Sequence, residues 1–248
     1  MAVLDVSVAE QGALLLKPIG FIRSCYKEKF GIPRQSGLVT EARATLHLLP
    51  DYAMPTAFTG LAQFSHIWLI FCFHSTQNIA WKPTVRPPRL GGNQRLGVFA
   101  TRSMFRPNPI GLSVARLLDV QFEGTQGVLN LAGIDLLDGT PVLDIKPYIS
   151  YADAISDASS GFVESTPASL QQVVFSPKAL LQCAEKTSQW QLDIETLLRQ
   201  ILQQDPRPAY RWGSVDKRQY GMKLYDFDVR WCYESNQIEV LELVDIEG

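Results

Sequence analysis

The sequence predicts a mainly β protein in two parts: a β-barrel or compact sheet domain, then a small α+β domain. Three observations predict this. Between residues 19 and 145, short apolar runs are punctuated by Gly and Pro, with little helical periodicity. Ser150 to Pro167 then turns rich in Ser, Ala and Asp and poor in large apolar groups. Beyond it, an apolar helical face precedes an alternating strand.

The elements follow in order. Ile19 to Arg23 is a short strand after Pro18. Phe64 to His74 is apolar and aromatic-rich, suited to a strand buried on both faces. Arg95 to Arg102, Leu112 to Phe122 and Val128 to Ile134 are further strands, with Gly124-Thr125-Gln126-Gly127 as a hairpin loop between the last two. Asp138-Gly139 is a tight turn before Val142 to Ile145. Ser150 to Pro167 is a linker or a wrapping loop. Ser188 is a plausible N-cap, after which Trp190, Ile194, Leu197, Leu198 and Ile201 share one face until Asp205-Pro206. Tyr225, Phe227, Val229 and Trp231 alternate with Asp226, Asp228 and Arg230, a half-buried strand whose hairpin partner holds Ile238 and Val240. The expected organisation is a tail at 1–16, a barrel domain at 17–155 and an α+β domain at 156–248.

Composition excludes several classes. An apolar content of 46% with 19% charged residues describes an ordinary globular chain, not a disordered one. The start shows no basic n-region or long apolar h-region, and the longest apolar run, Ile67 to Phe73, is far too short to cross a bilayer. Cys25, Cys72, Cys183 and Cys232 are widely spaced, fitting reduced, mostly buried thiols in a cytoplasmic protein. His47, His66 and His74 have no HExxH spacing, so no metal site is expected.

Charge is distributed unevenly. From Tyr52 to Leu118 there is no Asp or Glu, while Lys82, Arg86, Arg89, Arg95, Arg102, Arg106 and Arg116 give the stretch +7 against a total of −2. Such a block raises encounter rates with polyanions. Four segments within or beside it are too polar and constrained for plain scaffold: Pro33-Arg34-Gln35-Ser36-Gly37, the Arg86 to Asn93 loop, Thr101 to Gly111, and Asp135 to Pro141 followed by Asp144-Ile145-Lys146-Pro147-Tyr148. Neither GxxxxGK[ST] nor GxGxxG is present.

Together these segments, with Phe64-Ser65-His66, Asp205-Pro206-Arg207-Pro208-Ala209-Tyr210-Arg211 and Phe227-Asp228-Val229-Arg230-Trp231, resemble the TrmO (TsaA-like, YaeB) family of tRNA methyltransferases in its bacterial, two-domain form. The resemblance spans roughly residues 17 to 232 and is silent on the first sixteen. It implies a single-sheet β-barrel and a homodimer. The implied cofactor is S-adenosylmethionine (SAM), held near the subunit junction. The implied reaction is methylation of N6 of threonylcarbamoyladenosine at position 37 of threonine tRNA. Carried over residue by residue, it sets Pro33, Arg34, Gln35, His74 and Ser75 beside SAM, with Arg102, Leu112 and Asp135, Leu136, Leu137 and Asp138 in the same role. The target nitrogen has a delocalised lone pair, so its proton must be removed by a base within reach. Asp138 is the first candidate and His74 the second. Arg86, Arg89, Arg95 and Arg106 are expected on the phosphates of the anticodon arm, with Arg207, Tyr210 and Arg211 extending that footprint. Two other readings stay open: an RNA-binding module without a cofactor, and a SAM-dependent enzyme acting on another acceptor.

Overall fold

Six strands close an antiparallel barrel in the order β1-β2-β7-β6-β3-β8. They are β1 (Gly20–Ser24), β2 (Arg43–Leu48), β3 (His66–Cys72), β6 (Ile110–Glu123), β7 (Gln126–Ala132) and β8 (Pro141–Pro147). This computed structural model describes residues 14–76, 79–90, 92–163, 172–207, 218–234 and 237–246. Alternation sets the barrel interior: Ile22, Leu46, Ile67, Leu69, Leu129, Leu131 and Val142 are all fully buried. β3 is buried on one face rather than two, because His66, Trp68 and Ile70 point outward and stay half-buried. Closure leaves this sheet no free edge.

Between β3 and β6 the chain makes an excursion over residues 73–109, pinned at its base by the Phe73 amide donating to the Pro109 carbonyl at 2.8 Å. It carries the short pair β4 (Thr84–Val85) and β5 (Leu96–Gly97). The expected strand over residues 95–102 is reduced to this fragment. Val98–Ala100 is a 3-10 turn instead, stapled by Arg106 donating to the carbonyls of Thr101 (2.7 Å) and Val98 (3.2 Å).

After helix α1 (Ser150–Asp153), the second unit is a four-stranded sheet in the order β10-β11-β12-β9. Its strands are β9 (Gln172–Phe175), β10 (Tyr220–Leu224), β11 (Phe227–Glu234) and β12 (Gln237–Asp245). Helices α2 (Pro177–Trp190) and α3 (Ile194–Gln203) complete it. The helix expected from Ser188 is broken: Ser188 is not an N-cap but lies inside α2, its hydroxyl donating to the Ala184 carbonyl at 3.1 Å, and Ile194 to Ile201 belong to α3. Trp190 ends α2, Gln191 takes a left-handed conformation (φ 51°), and Asp193 caps α3 through the Thr196 amide at 2.9 Å. Trp190 instead stacks on Tyr225, their centroids 4.4 Å apart. Tyr225 is not part of β11; with φ 47° it makes the β10–β11 turn. α3 buries Ile194, Leu197, Leu198, Ile201 and Leu202.

The two units share one hydrophobic core. At the seam the Tyr225 amide donates to the Cys25 carbonyl (2.9 Å), and Gln200 of α3 accepts from the Glu41 amide (3.0 Å). Cys25, Cys72 and Cys183 are buried, and burial pushes the Cys25 thiol up to about 12, so it stays a thiol. No helix among the described residues is long and apolar enough to cross a membrane.

Candidate active site and nucleic-acid face

Where β3 ends and β6 begins, the barrel opens into a cleft of about 510 Å³. Four chain segments converge there: the loop after β1, the turn after β3, residues 101–106 of the excursion, and the β7–β8 connection. Ten of the eleven residues assigned to the cofactor line it: Pro33, Arg34, Gln35, His74, Ser75, Arg102, Leu112, Asp135, Leu136 and Leu137. Apolar walls come from Ile32, Phe71, Met104 and Ile110. A largely apolar cleft with a few convergent polar groups, within the common range of about 300–1,000 Å³, is what a small-molecule cofactor requires.

The polar groups are held in distinct states. Arg102 donates to Gln35 Oε1, joining the first loop to the basic excursion. Burial raises the Asp135 carboxyl above its ordinary value, opposed by Ser113, Arg102 and the Ser36 amide. Its Oδ1 nevertheless has no hydrogen-bond partner among the described residues. A buried carboxylate oxygen left open beside a cleft asks for a donor from a ligand. The His74 imidazole is lowered from its ordinary value, first by burial and next by the field of Lys29, against an opposing pull from Asp138. It is therefore neutral at physiological pH and able to accept a proton.

Asp138 requires a correction. It does not line the cleft. Its carboxylate accepts from the Ser24 amide at 2.9 Å and pairs with Lys27 at 3.0 Å and Arg23 at 3.9 Å. The β7–β8 connection thus presents Asp135 to the cleft and Asp138 to the β1 side. Asp138 locks the turn and reaches His74 only as a field.

The RNA candidates divide likewise. Arg86 and Arg95 are exposed on the excursion, as are Lys82 and Arg102, and Arg116 is exposed on β6. Arg106 lines the cleft, but one guanidinium nitrogen is spent on backbone carbonyls. The side chain of Arg89, and Tyr210 and Arg211 entirely, lie outside the described residues. Arg207 is a second correction. It is 1% exposed and bonded to Asp205 through Nε (2.8 Å) and Nη2 (2.7 Å), and its guanidinium lies over the Tyr233 ring. It is a buried structural ion pair, withdrawn from any phosphate.

Sequence reasoning missed three groups here. Trp81 (50% exposed) and Phe99 (73% exposed) present large aromatic faces on the basic excursion. Lys29 reaches the cleft from the first loop. An acid-free stretch containing exposed aromatics was the available signal for the first two.

The first domain family model, described as tRNA-methyltransferase O N-terminal domain, matches residues 21–154, and the TrmO C-terminal domain matches residues 167–246. The chain belongs to the tRNA-methyltransferase O family. A relative from Escherichia coli K12, named tRNA (adenine(37)-N6)-methyltransferase, is 49% identical over 91% of this chain and 95% of its own. A Pseudomonas aeruginosa relative, named a putative S-adenosylmethionine-dependent methyltransferase, is 48% identical over 94% of this chain and 97% of its own. A solved structure of TrmO from Pseudomonas aeruginosa superposes with a TM-score of 0.77 at 45% identity, over 92% of this chain and 97% of that one. In tRNA-methyltransferase O terms, the barrel with its cleft is the N-terminal domain and the α2–α3 sheet unit the C-terminal one.

Proposed function

We propose that this protein methylates N6 of threonylcarbamoyladenosine at position 37 of threonine tRNA, using SAM, as a cytoplasmic homodimer. The observation that carries the reading is the convergence on one cleft of ten residues expected to hold the cofactor, beside the basic excursion.

The residues fit SAM by their chemistry. The apolar wall of Ile32, Phe71 and Leu112 suits the adenine and the methylene groups of the methionine portion, and the open Oδ1 of Asp135 suits ribose hydroxyls or the ammonium. When bound, SAM supplies an electrophilic methyl group on a sulfonium. That positive charge vanishes in the transition state, so an anion held tightly at sulfur would oppose turnover. Asp135 therefore belongs at the periphery of the cofactor. Arg102 and Gln35 fix one rim of the cleft, and such positioning can supply most of the rate. His74 takes the N6 proton as its neutral imidazole.

On the RNA side, Arg86 and Arg95 face phosphates of the anticodon arm, and Trp81 and Phe99 offer surfaces on which unpaired loop bases stack. Leu112 (53% exposed) and Ile110 (38% exposed) are apolar cleft residues left open to solvent in one chain. A second copy covering them would put the cofactor near the subunit junction.

Titration with SAM and with tRNA tests the assignment. The expected result is binding of both, with tRNA affinity falling steeply as salt rises. Binding of tRNA without SAM would leave an RNA-binding module, and salt-independent tRNA binding would remove the basic face from the account.

A further inference from the structure

We propose that Lys29 recognises the carboxylate of the amino-acid substituent on the acceptor base, and so sets the preference for the modified nucleoside; this rests on the acceptor named above.

Lys29 stands where two cavities meet. The cleft and a smaller hollow of about 110 Å³ share Lys29, Ile32, Pro33 and Arg34, and the hollow ends against Gln204, Asp205 and Pro206. The residues before Lys29 are fixed. Lys27 is held by Asp138 at 3.0 Å, and its amide donates to the Lys223 carbonyl at 3.4 Å. Glu28 Oε1 accepts from the Lys223 amide at 3.2 Å. Strand β10 thus pins this loop from the C-terminal side, and Lys29 emerges over the cleft.

Its charge is not neutralised. Nζ lies 3.5 Å from the Ser75 carbonyl, and no carboxylate among the described residues pairs with it. The neighbouring cations are engaged: Arg102 with Gln35, Arg106 with two carbonyls, and Arg34, which lines both cavities, in an interaction of its own. An ammonium beside a neutral imidazole, at the mouth of a second hollow, favours an anion from outside.

The base and ribose of the acceptor are neutral, which leaves its phosphates and its substituent. Phosphates are served by the exposed Arg86 and Arg95 on the excursion. If N6 is to meet His74, whatever is bonded to N6 enters the cleft with it. The substituent's carboxylate is therefore the anion delivered to Lys29, and the adjoining hollow gives its side chain room.

The test uses anticodon stem-loop RNAs bearing threonylcarbamoyladenosine or its carboxamide counterpart, bound in the presence of S-adenosylhomocysteine. The intact protein should prefer the carboxylate RNA by roughly 10- to 100-fold, the range for a hydrogen bond to a charged group. Lys29→Ala should erase that preference, Lys29→Arg should keep part of it, and all three proteins should bind S-adenosylhomocysteine equally. The proposal is overturned if Lys29→Ala keeps the preference. Equal weakening toward both RNAs would assign Lys29 to a phosphate, and weakened S-adenosylhomocysteine binding would assign it to the cofactor; either also overturns it. An intact protein that shows no preference and methylates neither RNA would overturn the acceptor itself.

Discussion

Exchanging Asp138 for Asn separates the two candidate bases by magnitude. An Asn side chain keeps an oxygen that accepts from the Ser24 amide, now at 2.9 Å, and loses the charge that faces Lys27 at 3.0 Å and Arg23 at 3.9 Å. Both cations are substantially solvated, with 35% and 67% of their side chains exposed. Pairs of this kind contribute about 0.2–1 kcal/mol each, so Asp138→Asn should cost about 1 kcal/mol. In a chain this long that lowers the melting temperature by about 2–4 °C. Losing the carboxylate field moves His74 further down, leaving it neutral and competent. Turnover should stay within about fivefold, because a general base contributes about 10²–10⁴ and the proposed base is His74. His74→Asn should show the full loss. The assay is single-turnover methyl transfer at saturating SAM, near pH 7.5, with SAM affinity and melting measured on the same preparations. An Asp138→Asn enzyme slowed a hundredfold, with folding and SAM affinity intact, would refute the assignment and restore Asp138.

Three further outcomes are expected. The acid limb of the pH–rate profile should lie below 6.5, the ordinary histidine value, because the base works deprotonated and burial lowers it; Lys29→Gln, which removes a lowering field, should move that limb upward. Arg207→Ala leaves the buried Asp205 carboxylate unpaired and should cost about 3–5 kcal/mol in denaturant unfolding, while an Arg207 variant that folds should keep the salt slope of tRNA binding unchanged. Gly31 has φ 90°, and a Cβ there would fall 1.7 Å from Met222 Sδ, so Gly31→Ala should destabilise by about 1–3 kcal/mol and weaken SAM binding through the adjoining Ile32 to Gln35 loop, as calorimetry would read.

Much of the barrel was legible because its strands alternate strongly. β3, β6, β7 and β8 all fall on the expected runs, within a few residues. β2 was missed although Ala44, Leu46 and Leu48 alternate with Arg43, Thr45 and His47, since Ala is a weak marker and the run is short. β9 is four residues long and pairs in parallel with β12, a contact no local pattern announces. The helix break at Gln191 was hidden because Trp190 and Ile194 keep helical spacing across it.

At the site, the loops were legible through the family motifs, but the direction of each side chain was not. Asp135 and Asp138 are three residues apart in one polar segment, yet Asp135 lines the cleft while Asp138 accepts from the Ser24 amide and pairs with Lys27 on the β1 side. Arg207 reads as a surface cation in an Arg-Pro segment, and its burial depends on Tyr233, 26 residues away. Lys29 carries no motif, and its standing at the cleft depends on β10 from the other domain.

The most direct test is nucleoside mass analysis of threonine tRNA after incubation with the protein and SAM, with and without the threonylcarbamoyl group. The account predicts a gain of one methyl mass on the modified adenosine at position 37 and none on the unmodified tRNA. A gain on the unmodified tRNA, or no gain on either with the protein folded and SAM-bound, would contradict it.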